Sequence, residues 1–321
     1  MFPVLAGSNP SGYNLTRSLR FRSSATAYLN RTPASASNLK TWTWSAWVKR
    51  GSLGVDYQYL FSAFYYSYPS PYNNYQHNIG FTDTDNFRVQ FFAQDSGPTT
   101  YTYTLTTSQV FRDPSAWYHI QVVWDTTQAT AANRVKVYVN GSQVTAFGTA
   151  SYPTQNLDGY INSTYYHSQG AFLAPPNYPT AYYKFDGYMA EVNFIDGQAL
   201  TPSSFGSTNT LTGVWQPARY SGTYGTNGFY LPFTDNSGAT ATTIGKDFSG
   251  NGNNWTPNNI SVTAGVTYDS MTDVPTLTSS TAANYCVLNP VNKSPSSTVS
   301  NGNLRQTSSG GWYRAYSTIF F

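Results

Sequence analysis

Glu191 is the only glutamate in the chain. Cutting a glycosidic bond by the usual route takes two carboxylates flanking that bond, about 5–9 Å apart. A second acid would have to be an aspartate. Asp83 and Asp85 are the nearest pair, and they sit in "TDTDN" (82–86), which reads as a hairpin turn. His77, His119 and His167 are far apart in sequence, without metal-ligand spacing, and no nucleophile elbow accompanies them. Cys286 is the sole cysteine, so no disulfide can form within the chain, and it is expected to be a small buried hydrophobe. These residue types predict no catalytic centre. Glu191 is expected to be a half-exposed strand residue paired with a lysine or arginine. His119, which follows Trp117-Tyr118 at a strand start, is expected to be a structural hydrogen-bonder.

Tyrosine carries the stronger signal, with 28 in 321 residues. "YLFSAFYYSYPSPYNNYQ" (59–76) begins as a strand, so Tyr59 and Phe61 are predicted core. Beyond Ser67, Pro69 and Pro71 exclude a regular central strand. Tyr68, Tyr72 and Tyr75 then sit among serine, proline and asparagine. A second stretch, "YINSTYYHSQGAFLAPPNYPTAYY" (160–183), brings Tyr165, Tyr166 and Tyr178 into similar company. Tyrosine among Ser, Gly and Asn suits contact loops, because a ring gives large contact area at low entropic cost. These six tyrosines are therefore predicted to contact a sugar or a neighbouring subunit.

The elements that would position them follow a period of two. "TWTWSAWVKR" (41–50) places Trp42, Trp44, Ala46 and Val48 on one face. "NFRVQFFAQ" (86–94), "AWYHIQVVWD" (116–125) and "KFDGYMAEVNFIDG" (184–197) read as further strands. "NRVKVYVNGSQV" (133–144) contains Asn140-Gly141, which predicts a tight hairpin because both residues tolerate positive φ. No window carries a useful 3.6-residue period, so helix is limited to a turn near "TPSSFG" (201–206). The chain is predicted to be all-β, a sandwich of strands punctuated by Gly, Pro and Asn turns.

Aromatics make up 17% of the chain and charged residues 10%, against about 25% charged in an ordinary soluble protein. The net charge of +3 is spread without a basic run, which argues against nucleic-acid binding. No stretch approaches the roughly 20 apolar residues of a membrane helix, and the N-terminus lacks a secretory pattern. Membrane insertion is not expected. Residues 263–310 are rich in Ser, Thr, Asn and Pro, and the chain closes on the apolar "YSTIFF", expected to dock on a neighbour or on its own body.

"AWYHIQVVWD…NRVKVYVNG" resembles the laminin-G-like, concanavalin A-like jelly roll, with "WTWSAWVKRG" as an early core strand and "FDGYMAEVNFIDGQALTPSSFG" (185–206) as its closing strand and turn. The phrases "SLRF…YLNRTP", "TWTWSAWVKRG", "FDGYMAEVNFIDGQALTP" and "DFSGNGNNWTPNNISVTAG" resemble, in wording and order, a group of bacteriophage virion proteins. The resemblance implies an N-terminal arm (1–18), a jelly-roll β-sandwich (19–262) and an extended C-terminal arm (263–321). Within it, Phe229–Phe233 either returns to the main sheet as in a permuted jelly roll or begins a truncated second domain. It implies a non-enzymatic fibre or capsid-decoration component, a homotrimer bound to other virion subunits, made in the host cytoplasm and released by lysis. The alternatives are a tail-fibre adhesin for host-surface glycan and a glycan depolymerase. Glycosidases of this architecture carry two glutamates on one strand, and the partner of Glu191 is missing. The family's calcium sites use Asp, Asn and backbone oxygens, which points to Asp83, Asp85 and Asp247 for calcium, although both stretches that hold them are also ordinary turn chemistry.

Overall fold

The computed structural model describes residues 12–67, 73–94, 100–173, 181–279, 281–309 and 313–318. The first twelve strands are β1 (Ser18–Phe21), β2 (Tyr28–Arg31), β3 (Thr41–Arg50), β4 (Gln58–Ser67), β5 (Asn73–Phe81), β6 (Asn86–Gln94), β7 (Thr100–Val110), β8 (Trp117–Asp125), β9 (Val135–Val139), β10 (Ser142–Gln143), β11 (Phe147–Ala150) and β12 (Tyr166–Gln169). Two eight-stranded sheets stack face to face. The first runs β10-β9-β8-β3, then the closing strand Gly187–Asp196, then β1 and Ser270–Met271. The second runs β11-β7-β6-β5-β4-β12-β2 and ends on Thr256–Asn258. Every pairing within them is antiparallel.

Alternation explains the core. From β3, Trp42, Trp44, Ala46 and Val48 point inward, and β8 answers with Ile120, Val122 and Trp124. From the second sheet come Phe61, Ala63, Ile79, Phe81, Phe87, Val89 and Phe91. The hairpin at Asn140-Gly141 forms with φ of 48° and 80°, joining β9 to β10. The predicted turn is a single 3-10 turn at Pro202–Ser204. Phe229–Leu231 returns to the first sheet, where Leu231, Tyr230 and Phe229 pair with Val192, Asn193 and Phe194.

The closing strand therefore changes neighbour along one edge. Gly187–Met189 pairs with β1, and Val192–Phe194 pairs with the returning strand. On its other side the register to β3 slips between Ala190 and Asn193, a β-bulge. Glu191 occupies this junction with φ of 53°.

The outer face of the first sheet is covered. Trp47, Trp117, Tyr188 and Ala190 pack against Leu15, Val274 and Ala282. Lys49, fully buried, donates from Nζ to Asp273 Oδ2 at 2.8 Å, Asn284 Oδ1 at 2.8 Å and the Tyr285 carbonyl at 2.7 Å. Arg20 and Arg22 share Asp269 Oδ1 at 3.0 and 2.8 Å. Tyr188 donates to the Gly302 carbonyl at 2.5 Å. The stretch from Asp269 to Gly302, within the segment expected to be an extended C-terminal arm, thus lies against this face. Its few apolar residues did not reveal the docking, because buried ion pairs do much of the anchoring. Buried carboxylates that neutralise buried cations cost little while paired and several kcal/mol once one partner is lost.

The outer face of the second sheet is more open and polar. Along β6, Phe87, Val89, Phe91 and Ala93 are buried, while Asn86, Arg88, Gln90, Phe92 and Gln94 stand half-exposed on the other side.

Candidate functional site

The row Tyr65–Tyr75–Ala93–Tyr101 crosses β4, β5, β6 and β7 near the end of the second sheet. One step inward, Ala63, His77, Phe91 and Tyr103 form the next row. Both rows face the side of the core, but the outer row lies at its margin, so its rings emerge at the end of the sandwich. The loop before β12 folds back over them and supplies Tyr160 and Tyr165.

These rings form a continuous stack. Tyr165 lies 4.8 Å from Tyr65 and 6.0 Å from Tyr75, with interplanar angles of 21° and 16°. Tyr75 stacks on Tyr160 at 4.9 Å, Tyr160 on Phe91 at 4.7 Å, and Phe91 on Trp124 at 6.2 Å. The column thus runs from the surface into the core. Each such pair contributes about 0.5–1.5 kcal/mol beyond area burial, and cross-strand pairing fixes the rings before any ligand arrives.

Beside the column lies a cleft of about 610 Å³, lined by Tyr101, Tyr103 and Tyr160 with Thr154, Gln155, Asn156 and Asp158 among others. Tyr101 is 49% exposed. The Asp158 carboxylate is open to water, with Lys40 3.7 Å away. Aromatic floors stack on the apolar faces of pyranose rings, and amides and carboxylates at the rim hydrogen-bond to hydroxyl groups.

His167 holds the covering loop. Its Nδ1 donates to the Tyr165 carbonyl at 2.7 Å, and its Nε2 accepts the Asn162 N–H at 3.0 Å. This requires neutral imidazole, and burial pushes its pKa down to about 4. Asn162, at φ of 77°, donates its side-chain amide to Asp196 Oδ1 at 2.5 Å and to the Asn38 carbonyl at 2.8 Å. The loop is therefore tied to the closing strand of the opposite sheet.

Of the six predicted contact tyrosines, Tyr75 and Tyr165 come together in this column. Tyr166 follows Tyr165 directly but points to the opposite face of β12, where its hydroxyl meets that of Tyr28. Tyr68, Tyr72 and Tyr178 lie outside the described residues. Tyr101 and Tyr103 were missed. Their signal is the alternation of "TYTYTL" (100–105), which puts both rings on the face of the buried Leu105.

The three aspartates named for calcium sit in different surroundings. Asp83 is exposed in the turn after β5. Asp85 accepts from Arg50 Nη1 at 3.0 Å, from the Gly54 N–H at 2.8 Å and from Arg112 Nε at 2.8 Å. Burial alone would raise its pKa, but the Gly54 N–H and the two guanidinium groups outweigh it and hold the carboxyl below its usual range. Asp247 accepts the N–H groups of Tyr230, Ser249 and Asn253, each at 2.8 Å, as the centre of an Asx-type turn. Among the described residues no group of three or more His, Cys, Asp or Glu side chains is gathered.

Glu191 is not the half-exposed, ion-paired residue expected from sequence. It is 5% exposed, and its Oε1 and Oε2 accept hydrogen bonds from the hydroxyls of Tyr13 at 2.7 Å and Tyr230 at 2.8 Å. At the bulge it faces a pocket of about 270 Å³ that also holds Arg219, and among the described residues it is the one acidic side chain lining that pocket. Burial pushes its pKa up to about 7, against the opposing pull of the two phenols and Arg219. His119 is the structural hydrogen-bonder expected, with its Nε2 2.8 Å from Ser45 Oγ and its ring between Trp47 and Trp215. Cys286 is half-buried.

The family model for the concanavalin A-like lectin/glucanases superfamily, a laminin G class, matches residues 23–204, a span that contains both the tyrosine column and Glu191. No curated protein sequence matches. Among solved structures, the chain is similar to a heptameric SAP-like pentraxin from Limulus polyphemus, at 14% identity over 58% of this chain and 78% of that one, with a TM-score of 0.36. It is similar to the CBM40 of the Ruminococcus gnavus IT-sialidase, solved with α2,3 sialyllactose, at 12% identity over 60% of this chain and 92% of that one, TM-score 0.38. It is also similar to full-length tailspike protein 2 of an Escherichia coli O157:H7 bacteriophage, at 12% identity over 60% of this chain and 27% of that one, TM-score 0.34.

Proposed function

We infer the function from one premise: the chain belongs to the concanavalin A-like lectin/glucanases superfamily. On that premise we read it as a glycan-binding protein that does not cut its ligand. The observation that carries this reading is the stacked column Tyr65–Tyr165–Tyr75–Tyr160 beside a cleft rimmed by Asn156 and Asp158. Rigid rings next to hydrogen-bonding side chains favour a pyranose over either a purely apolar or a purely charged ligand. The non-catalytic part of the reading is supported by Glu191, whose two oxygens are each held by a tyrosine hydroxyl.

The wider role is a structural component of a bacteriophage particle, a fibre or decoration subunit in a homotrimer. The four phrases that resemble, in wording and order, those of phage virion proteins support it. Val266, Val291 and Leu304, exposed on the C-terminal segment, are candidate contacts with other copies or with neighbouring subunits.

A glycan array followed by titration of the best binder tests the first claim. Tyr101→Ala and Tyr160→Ala should each weaken binding by about tenfold, the worth of one well-formed stack. Unchanged affinity in both variants would refute it. Immunogold labelling of intact virions tests the second. Gold over the head assigns a decoration subunit, gold on the tail assigns an adhesin, and no gold on particles refutes the virion role.

A further inference from the structure

We propose that the open face of the second sheet carries a separate subsite for a carboxylate-bearing sugar, with Arg88 as the residue that reads the carboxylate. The proposal shares only its ligand class with the glycan-binding reading above, since it uses a different face and different residues.

Arg88 stands on β6 opposite Gly80 of β5. A Cβ at Gly80 would lie 2.3 Å from the Gln58 carbonyl oxygen and 2.9 Å from the Tyr59 ring. With no side chain there, Arg88 lies across β5 toward Tyr57, just before β4, and Tyr59 on it. Its guanidinium sits 4.1 Å from the centre of the Tyr57 ring and 5.8 Å from that of Tyr59, and Nη2 donates to the Tyr59 hydroxyl at 2.6 Å.

The box around it is rigid. Tyr183 meets Tyr57 and Tyr59 edge-on, each at 5.4 Å, and Phe172 meets Tyr59 at 5.8 Å. Tyr183 holds φ of 54°, and its carbonyl accepts the Tyr59 N–H at 3.0 Å. The resulting cleft, about 370 Å³, is lined by these rings, Arg88, Gln76 and Gln90.

Among the described residues no carboxylate forms an ion pair with Arg88. The fully buried Arg20, Arg22 and Arg50 meet carboxylates, and the half-buried Arg17, Arg31 and Arg134 bond backbone or amide oxygens. The Arg88 Nε is buried without a hydrogen-bond partner. Burying a guanidinium edge unpaired is costly. A planar carboxylate would meet the outer Nη edge of the guanidinium through two parallel N–H bonds. Aromatic walls add stacking for a pyranose ring, and the Gln90 amide lines the cleft beside it, while the Gln76 amide is held by Asn74 and Asn78. Inorganic anions would use the charge but gain nothing from the rings.

The test is titration of the full chain with paired probes differing only in charge: oligogalacturonate against its methyl ester, sialyllactose against lactose, and a sulfated disaccharide against its unsulfated form. The carboxylated member of a pair is expected to bind at least tenfold tighter, with the preference shrinking as salt rises. Arg88→Gln should abolish that preference, and Arg88→Lys should recover only part of it. Tyr101→Ala should leave it unchanged. Thermal melts of each variant control for folding, and Gln90→Ala, which alters no packed ring, should weaken carboxylated ligands severalfold. Equal binding of charged and neutral partners overturns the subsite, as does a preference that survives Arg88→Gln or one confined to sulfated sugars. Carboxylate-dependent binding with no effect of Tyr101→Ala or Tyr160→Ala would instead remove the tyrosine-column reading and leave this one standing.

Discussion

Replacing Glu191 by glutamine removes the one carboxyl group buried at the bulge while keeping an oxygen and an amide for Tyr13 and Tyr230. In the unfolded chain this acid ionises near 4.5, whereas in the folded chain burial delays ionisation to about 7. Between these values the folded state binds more protons than the unfolded state. Stability from Glu191 is therefore fully present below about 4.5 and falls as pH rises through about 7. The difference corresponds to roughly 3 kcal/mol over the whole range, and to roughly 2–3 kcal/mol between about pH 5 and pH 8. Other groups titrate in the same window. Burial pushes His77, His119 and His167 down to about 3, 3 and 4, so each makes stability fall as pH drops below about 6.5. The wild-type curve alone would mix opposing slopes. The measurement is therefore urea unfolding of wild type and Glu191→Gln in parallel, taking the difference at each pH. The Gln variant should gain stability relative to wild type by that amount from pH 5 to pH 8, rising steadily between the unfolded and folded titrations and levelling off once the folded carboxyl has ionised near 7. A difference that stays flat to within about 0.5 kcal/mol would refute the reasoning, because it would mean that Glu191 ionises alike in both states.

Asp269→Asn leaves Arg20 and Arg22 buried without their shared carboxylate and should cost about 3–5 kcal/mol. A loss below about 1 kcal/mol in denaturant would show that the C-terminal segment is not anchored there. His167→Ala removes both bonds that hold the Tyr160–Tyr165 loop, so it should cost about 2–3 kcal/mol and also weaken glycan binding. Restoration of binding in His167→Gln, whose amide can both donate and accept, would separate positioning from ring packing. Tyr75→Ala removes the central ring of the column and should lower affinity more than Tyr65→Ala, because Tyr75 touches both Tyr160 and Tyr165. Titration of both variants with one glycan checks the order.

Period-two patterning made the sandwich legible, since Trp42, Trp44, Ala46 and Val48 could face only one way along β3. The same rule would have found Tyr101 and Tyr103 through their phase with Leu105, but it says nothing about which end of a strand leaves the core. That depends on where the opposing sheet stops. Tyr75 was read as a loop residue because prolines precede it, yet β5 resumes at Asn73 and pairs it with Tyr65. Two features lay beyond any local pattern. The buried clusters of Arg20, Arg22, Lys49, Asp269 and Asp273 join residues more than 200 positions apart, and a charged residue in a Ser- and Thr-rich stretch carries no mark of its distant partner. Glu191 was expected to be half-exposed on a regular strand, and regular alternation fails at that position. The closing strand exchanges β1 for the returning strand there, and no single register serves both neighbours and β3. The extra residue that absorbs the mismatch must leave the ladder, and a carboxylate there is held only because two tyrosine hydroxyls converge on it. The departure from pattern is thus a consequence of the returning strand, which the sequence could suggest at Phe229–Phe233 but could not place in register.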